Sequence, residues 1–192
     1  RAIVFASKYK LDLLTVDAAG GGTGMSPWRM MNEWGVPPVE LHSLMYQYAK
    51  RLADKGKYVP ALAAAGGFTF EDQIFKALAL GAPYVKLVGM ARSPIAAAMV
   101  GKTIGKAIEA GQLPVYIERF GSTKEEIFVT ASTLKKELGE KEFEKIPCGA
   151  LGIYTYYERL AQGLRQLMAG SRKFALKYIS RDDIAALTRE AA

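Results

Sequence analysis

The chain has 192 residues, half of them apolar and 23% charged, which is enough for a globular domain with a sizeable core. No apolar run approaches the ~20 residues of a membrane span, and the single cysteine, Cys148, excludes a disulfide framework and a multi-cysteine metal or iron–sulfur site. The formal charge of +7 is spread along the chain without a nucleic-acid-binding motif, and residues 1–10 carry no secretory leader; a cytoplasmic protein with small anionic ligands is expected, with no nucleic acid and no membrane as partner.

Residues 2–9 read as the end of a helix, followed by a strand over 11–16 that is apolar almost throughout, as when both faces of a sheet are covered. A glycine-rich stretch follows, VDAAGGGTGMSP, and then a turn at Pro37 and Pro38. The spacing of Leu41, Leu44, Met45, Tyr48 and Leu52 predicts a helix over 39–55 with those residues on its buried face. Residues 58–65 form the next strand, Gly66 and Gly67 a turn, and Thr69 caps a helix that runs to Leu80 and closes at Gly81 in a left-handed conformation. A third strand covers 84–88, a turn 89–92, and a helix 94–110 begins with Pro94 in its first turn. This alternation is the grammar of parallel α/β proteins.

After Gly111 the alternation stops. Helices are expected over 122–138 and 155–169, and a shorter one over 181–189 that starts at Ser180 with Asp182 and Asp183 in its first turn. The expected division is therefore 1–111 for three strand–helix units and 112–192 for a helical extension, with 139–149 the best place for a break. A closed parallel barrel needs eight such units. With three of them, and no initial methionine, the chain reads as a fragment of a longer protein.

Each strand runs into a glycine-containing turn. Ligands of parallel α/β folds bind at the carboxyl ends of strands, where such turns let backbone approach a phosphate. Gly66 and Gly67 after one strand, and Gly89, Met90 and Ala91 after the next, form a consecutive pair of this kind. The first stretch offers four glycines with Thr23 and Ser26, which could wrap an anionic or flat polar ligand. It has neither the phosphate-loop lysine nor the spacing of a dinucleotide fingerprint.

The run VDAAGGGTGMSP, then ALAAAGGFTFEDQIFKALALGA, then YVKLVGMARSP resembles the last three strand units of the FMN-binding domain of glutamate synthases, in order and spacing over residues 11–98. The resemblance implies the carboxyl-terminal part of a (β/α)8 TIM barrel with a helical tail. It implies FMN as cofactor, with Gly66, Gly67, Gly89, Met90, Ala91 and Arg92 at the flavin phosphate. Asp17, Gly21, Gly22, Thr23, Gly24 and Ser26 would face the flavin or the substrate carboxylates. The implied chemistry is reductive amination of 2-oxoglutarate or a related 2-oxo acid, without an iron–sulfur cluster in this chain. The partners implied are a small-molecule substrate and another copy, or a chain supplying the rest of the barrel. The alternative is a non-catalytic fragment that binds a phosphorylated ligand or assembles with another chain.

Some residues stay open at this level. Asp17 either orients a ligand or caps the glycine loop, and Arg92 either contacts phosphate or makes a surface ion pair. Lys86 points either inward or towards helices. Trp28 and Trp34 are expected to pack as a lid or interface, and His42, the only histidine, to be a surface or capping residue.

Overall fold

A computed structural model describes residues 1–22 and 24–188. The chain divides into two compact units, one formed by Arg1–Met90 with the described residues from Gly163 onward, the other by Ala91–Gln162. No helix among the described residues is long and apolar enough to cross a membrane.

The first unit is a mixed α/β body. Its elements are α1 (Ala2–Lys8), β1 (Leu13–Asp17), α2 (Trp28–Asn32), α3 (Pro38–Asp54), β2 (Ala61–Ala65), α4 (Glu71–Gly81) and β3 (Val85–Gly89). The strands form one parallel sheet in the order β1-β2-β3. Asp17 stands level with Ala65, and Ala65 with Gly89, so all three strands end on one line.

Strand alternation sends Leu14, Val16, Leu62 and Ala64 into the core, and a register shift between β2 and β3 lets both Val85 and Val88 join them; Ile3 of α1, Met45 and Ala49 of α3, and Phe75, Leu78 and Ala79 of α4 meet them there. The other face is open. Leu13 is 46% exposed and Leu87 53%, and Thr15 and Asp17 are exposed beside them. The expectation that β1 is covered on both faces therefore fails within these residues: helices cover one side only.

Three local expectations are also corrected. α3 is rotated relative to the predicted face: His42, Met45 and Ala49 are buried, while Leu44 and Tyr48 are exposed. The cap of α4 is Phe70 rather than Thr69. The Gln73 side chain reaches back to accept from the amides of Thr69 at 2.8 Å and Phe70 at 3.1 Å, the N3 half of a capping box. Gly81 is the last helical residue and has no left-handed backbone. Its glycine is required by packing, because a β-carbon there would lie 2.1 Å from the Val85 side chain.

The second unit contains α5 (Arg92–Glu109), α6 (Val115–Glu118), α7 (Lys124–Ile127), α8 (Ala131–Leu138), α9 (Glu140–Glu144) and the larger part of α10 (Cys148–Gly170). The helix expected over 122–138 breaks at Phe128. This residue turns extended to bury its ring with Ala131, Phe143 and Leu151, and that burial outweighs helical continuity. α10 starts seven residues earlier than expected, at Cys148. Gly149 and Gly152 act as contact points rather than breakers. A β-carbon at Gly152 would lie 2.5 Å from the Ala97 carbonyl of α5, and one at Gly101 would lie 2.4 Å from the Cys148 carbonyl. Gly152→Val is expected to destabilise this unit by about 2 kcal/mol through overpacking. A urea midpoint equal to that of the parent protein would contradict this close crossing.

The segment expected as a helix over 181–189 begins as predicted and then stops. The Ser180 amide donates to Asp183 Oδ2 at 2.8 Å, but only a single 3-10 turn forms, Arg181–Asp183, and Arg189 lies outside the described residues. Tertiary contacts hold this tail instead. Arg181 donates to the Leu80 carbonyl and stands 4.2 Å from the Tyr46 ring centroid, and Asp183 pairs with Lys173 at 3.6 Å.

Candidate functional site

The level ends of β1, β2 and β3 bring the first two glycine segments together. Asp17 caps the glycine loop. Its Oδ2 accepts from the Gly22 amide at 3.0 Å, and a β-carbon on Gly21 would lie 2.1 Å from the carboxylate, so the loop folds onto the side chain only because Gly21 lacks one. The amides before it are also engaged. Ala18 donates to the Ala65 carbonyl at 2.9 Å, Ala19 to Val36 at 2.8 Å, Gly20 to Met31 at 3.1 Å and Gly21 to Ala18 at 2.8 Å. Gly20 and Gly22 take φ of +87° and +92°, values that favour glycine. The stretch is thus a built loop, and its amides from Ala18 to Gly22 are bonded within the protein. Gly24 has open space around its α-carbon, and Ser26 lies against Gly22. Thr23 lies outside the described residues.

The second segment packs directly on the first. Gly66 has φ +112°, and a β-carbon there would lie 2.7 Å from the Ala18 amide nitrogen, so backbone meets backbone at this point. Gly67, at φ +78°, is more open, with its nearest neighbour 3.9 Å from where a β-carbon would sit. Gly89, at the end of β3, lies close to Ala65: a β-carbon there would come within 3.2 Å of the alanine methyl. Met90 packs half-buried against the core. Ala91 and Arg92 fall in the second unit, where Arg92 opens α5, is exposed, and forms no ion pair among the described residues. Lys86 is exposed on an edge strand.

Behind the glycine turns lies a cavity of about 650 Å³, with mainly apolar walls, lined among others by His42, Gly66, Gly67, Phe68, Lys76 and Arg181. His42 corrects the expectation of a surface residue: it is 2% exposed. Its ring stacks on Phe68 with centroids 5.7 Å apart and planes within 7°. Burial pushes its pKa below the ordinary histidine value, against the opposing pull of the Ala65 and Val16 carbonyls and the Asp17 carboxylate. Nε2 has no hydrogen-bond partner. The sequence did carry a signal for this burial, since His42, Met45 and Ala49 share one helical face. The more apolar Leu41–Leu44–Tyr48 face outweighed it.

Trp28 and Trp34, expected to pack, are 63% and 73% exposed beside the first loop. Met31, by contrast, turns inward against Gly22.

Geometrically this is a parallel α/β protein with its glycine turns gathered at the carboxyl ends of the strands, the position at which such folds take their ligands. Residues 2–100, just over half of the chain, match the model of the conserved region in glutamate synthase. The chain belongs to that glutamate synthase family. No curated protein and no solved structure matched it.

Proposed function

We propose that this chain is the carboxyl-terminal part of an FMN-dependent (β/α)8 barrel oxidoreductase that carries out reductive amination of 2-oxoglutarate or a related 2-oxo acid. The observation that carries the reading is the level ending of three parallel strands in glycine turns, within a chain of the glutamate synthase family. The open sheet face supports the barrel. It presents Leu13, Thr15 and Leu87, residues of the kind that fill a barrel interior in layers.

Within the first unit, Gly66, Gly67, Gly89 and Met90 are the residues proposed for the flavin phosphate. Gly67 is the most accessible of the turn, since nothing crowds its α-carbon. The loop from Asp17 to Ser26 is proposed as the substrate-side wall. Its amides up to Gly22 are bonded within the protein, so it contributes a rigid shape there, while Gly24 has open space around its α-carbon. When bound, reduced FMN supplies the hydride for an imine formed from the 2-oxo acid and ammonia, while the protein orients the reactants and excludes water. FMN at a hundred times its Kd is expected to raise stability by about 2.7 kcal/mol. A thermal-shift titration checks this, and an unchanged melting temperature at saturating FMN would count against the reading for this chain.

A second reading is favoured by the same open face: a phosphate-ligand-binding or assembly module, completed by another copy or by a chain that supplies the remaining strands. β1 and β3 each have one edge unpaired among the described residues, and an unpaired parallel edge with an uncovered apolar face invites association. Light scattering separates the two readings when run with and without FMN. Association without any flavin response supports the module, and a flavin response supports the enzyme.

A further inference from the structure

We propose that His42 is the positioning residue of the phosphate turn, holding the ends of β1 and β2 and the Gly66–Gly67 turn in one arrangement through a single buried ring. This rests on the assignment of the phosphate to Gly66 and Gly67.

The residues around the ring make the case. Val16 and Ala65, whose carbonyls act on the imidazole, are the residues immediately before Asp17 and Gly66, where each strand gives way to its glycine segment. On its other side the ring stacks on Phe68, the residue immediately after Gly67. The turn is therefore bracketed at both ends by contacts to one side chain, which itself stands on the long helix α3. The two backbones it joins are already in tight contact, Gly66 against Ala18. A displacement of one strand end would be carried straight into the other glycine loop.

A purely apolar ring could fill the same volume. An imidazole brings a polar edge to two backbone carbonyls at the cost of burying Nε2 without a partner. A buried polar atom in that state calls for a role, and positioning supplies one. His42 also lines the cavity behind the turn together with Gly66, Gly67 and Phe68, so its ring is the rear wall of the site.

The test compares FMN with riboflavin, because the ratio of their affinities isolates the phosphate. In the full chain, His42→Phe keeps the stacking surface and removes the polar edge, whereas His42→Gln restores a polar group. The FMN-to-riboflavin affinity ratio is expected to fall at least ~10-fold in His42→Phe and to stay within ~3-fold of wild type in His42→Gln. An unchanged ratio in His42→Phe overturns the proposal, as does an equal loss for both flavins, which would mark a merely structural residue. Amide exchange in the ligand-free protein gives a second readout at Ala18 and Thr69, whose hydrogen bonds flank the turn. Exchange at both is expected to quicken ~10-fold in His42→Phe, with the amides of α3 unaffected. If the wild type shows no preference for FMN, the phosphate assignment falls, and unaltered exchange in His42→Phe would then overturn the positioning role on its own.

Discussion

Gly66→Ala is expected to cost about 3 kcal/mol of stability and to abolish flavin-phosphate binding. Two effects add at this position. A φ of +112° lies in a region that side-chain-bearing residues rarely adopt, which costs of order 1–3 kcal/mol. A β-carbon would also meet the Ala18 backbone at 2.7 Å, and backbone cannot swing aside as a flexible side chain can. Gly67→Ala is the matched control. Its φ is also positive, at +78°, but its β-carbon position is open, so only the backbone term of about 1 kcal/mol applies. Urea denaturation of the two variants checks the difference. Equal midpoints would mean that the two glycine segments do not touch as described.

The second large effect is a fall in stability as the pH drops below neutrality. His42 is the only histidine, so between about pH 6.5 and 5 it is the one side chain of ordinary titration range to act. Its folded pKa is lowered from 6.5, mainly by burial. The unfolded chain therefore takes up the proton first, and protonation draws the equilibrium towards unfolding. The stability gained from keeping the ring neutral is present above pH 6.5 and is lost as the pH falls from there to the folded value. The slope within that window can reach about 1.4 kcal/mol per pH unit.

The charged groups near the ring are Asp17 at the end of β1, Asp72 and Lys76 on α4, and Arg181 and Asp183 on the tail. Asp72 and Lys76 pair with each other, as Asp183 does with Lys173, so Asp17 is the charged group that adds to the upward pull of the Ala65 and Val16 carbonyls. Carboxylates whose pKa is lowered by a partner, such as Asp72 beside Lys76, lose their contribution only at lower pH. Urea midpoints for wild type and His42→Phe at pH 7.5 and 5.5 read the effect. The wild type is expected to weaken and the variant to stay flat; parallel slopes would contradict a buried neutral histidine.

The parallel strand–helix order of the first unit was legible because its signals are local and repeated: short apolar runs, glycine turns, and amphipathic helices between them. Strands shifted by no more than a few residues. The misreadings arose where tertiary packing chose among locally similar options. On α3, two apolar stripes compete, and the face holding Ala49 and His42 won because small and flat side chains pack closest to the sheet. At Gly81 the glycine signal was read as conformational, and residue 149 closed the stretch expected as a break. The cause is steric, and a one-dimensional pattern cannot separate the two.

Of the candidate site, the placing of the three glycine segments and Asp17 at strand ends was legible, because residue type and position at strand ends suffice to mark them. The internal bonding of the first loop was not. Its partners are Met31, which lies within the Trp28–Asn32 helix, and Val36, which lies beyond that helix and a turn. His42 was missed for a related reason: its role depends on Val16, Ala65 and Phe68, which only the fold brings to it.

Site-resolved amide spectra of the full chain during an FMN titration test the central claim most directly. The account predicts saturable shifts centred on Gly66, Gly67 and Gly89, weaker ones along the loop from Asp17, and a much smaller response at the same amides to riboflavin. Shifts elsewhere in the chain, or equal responses to the two flavins, would contradict a phosphate site at the ends of these strands.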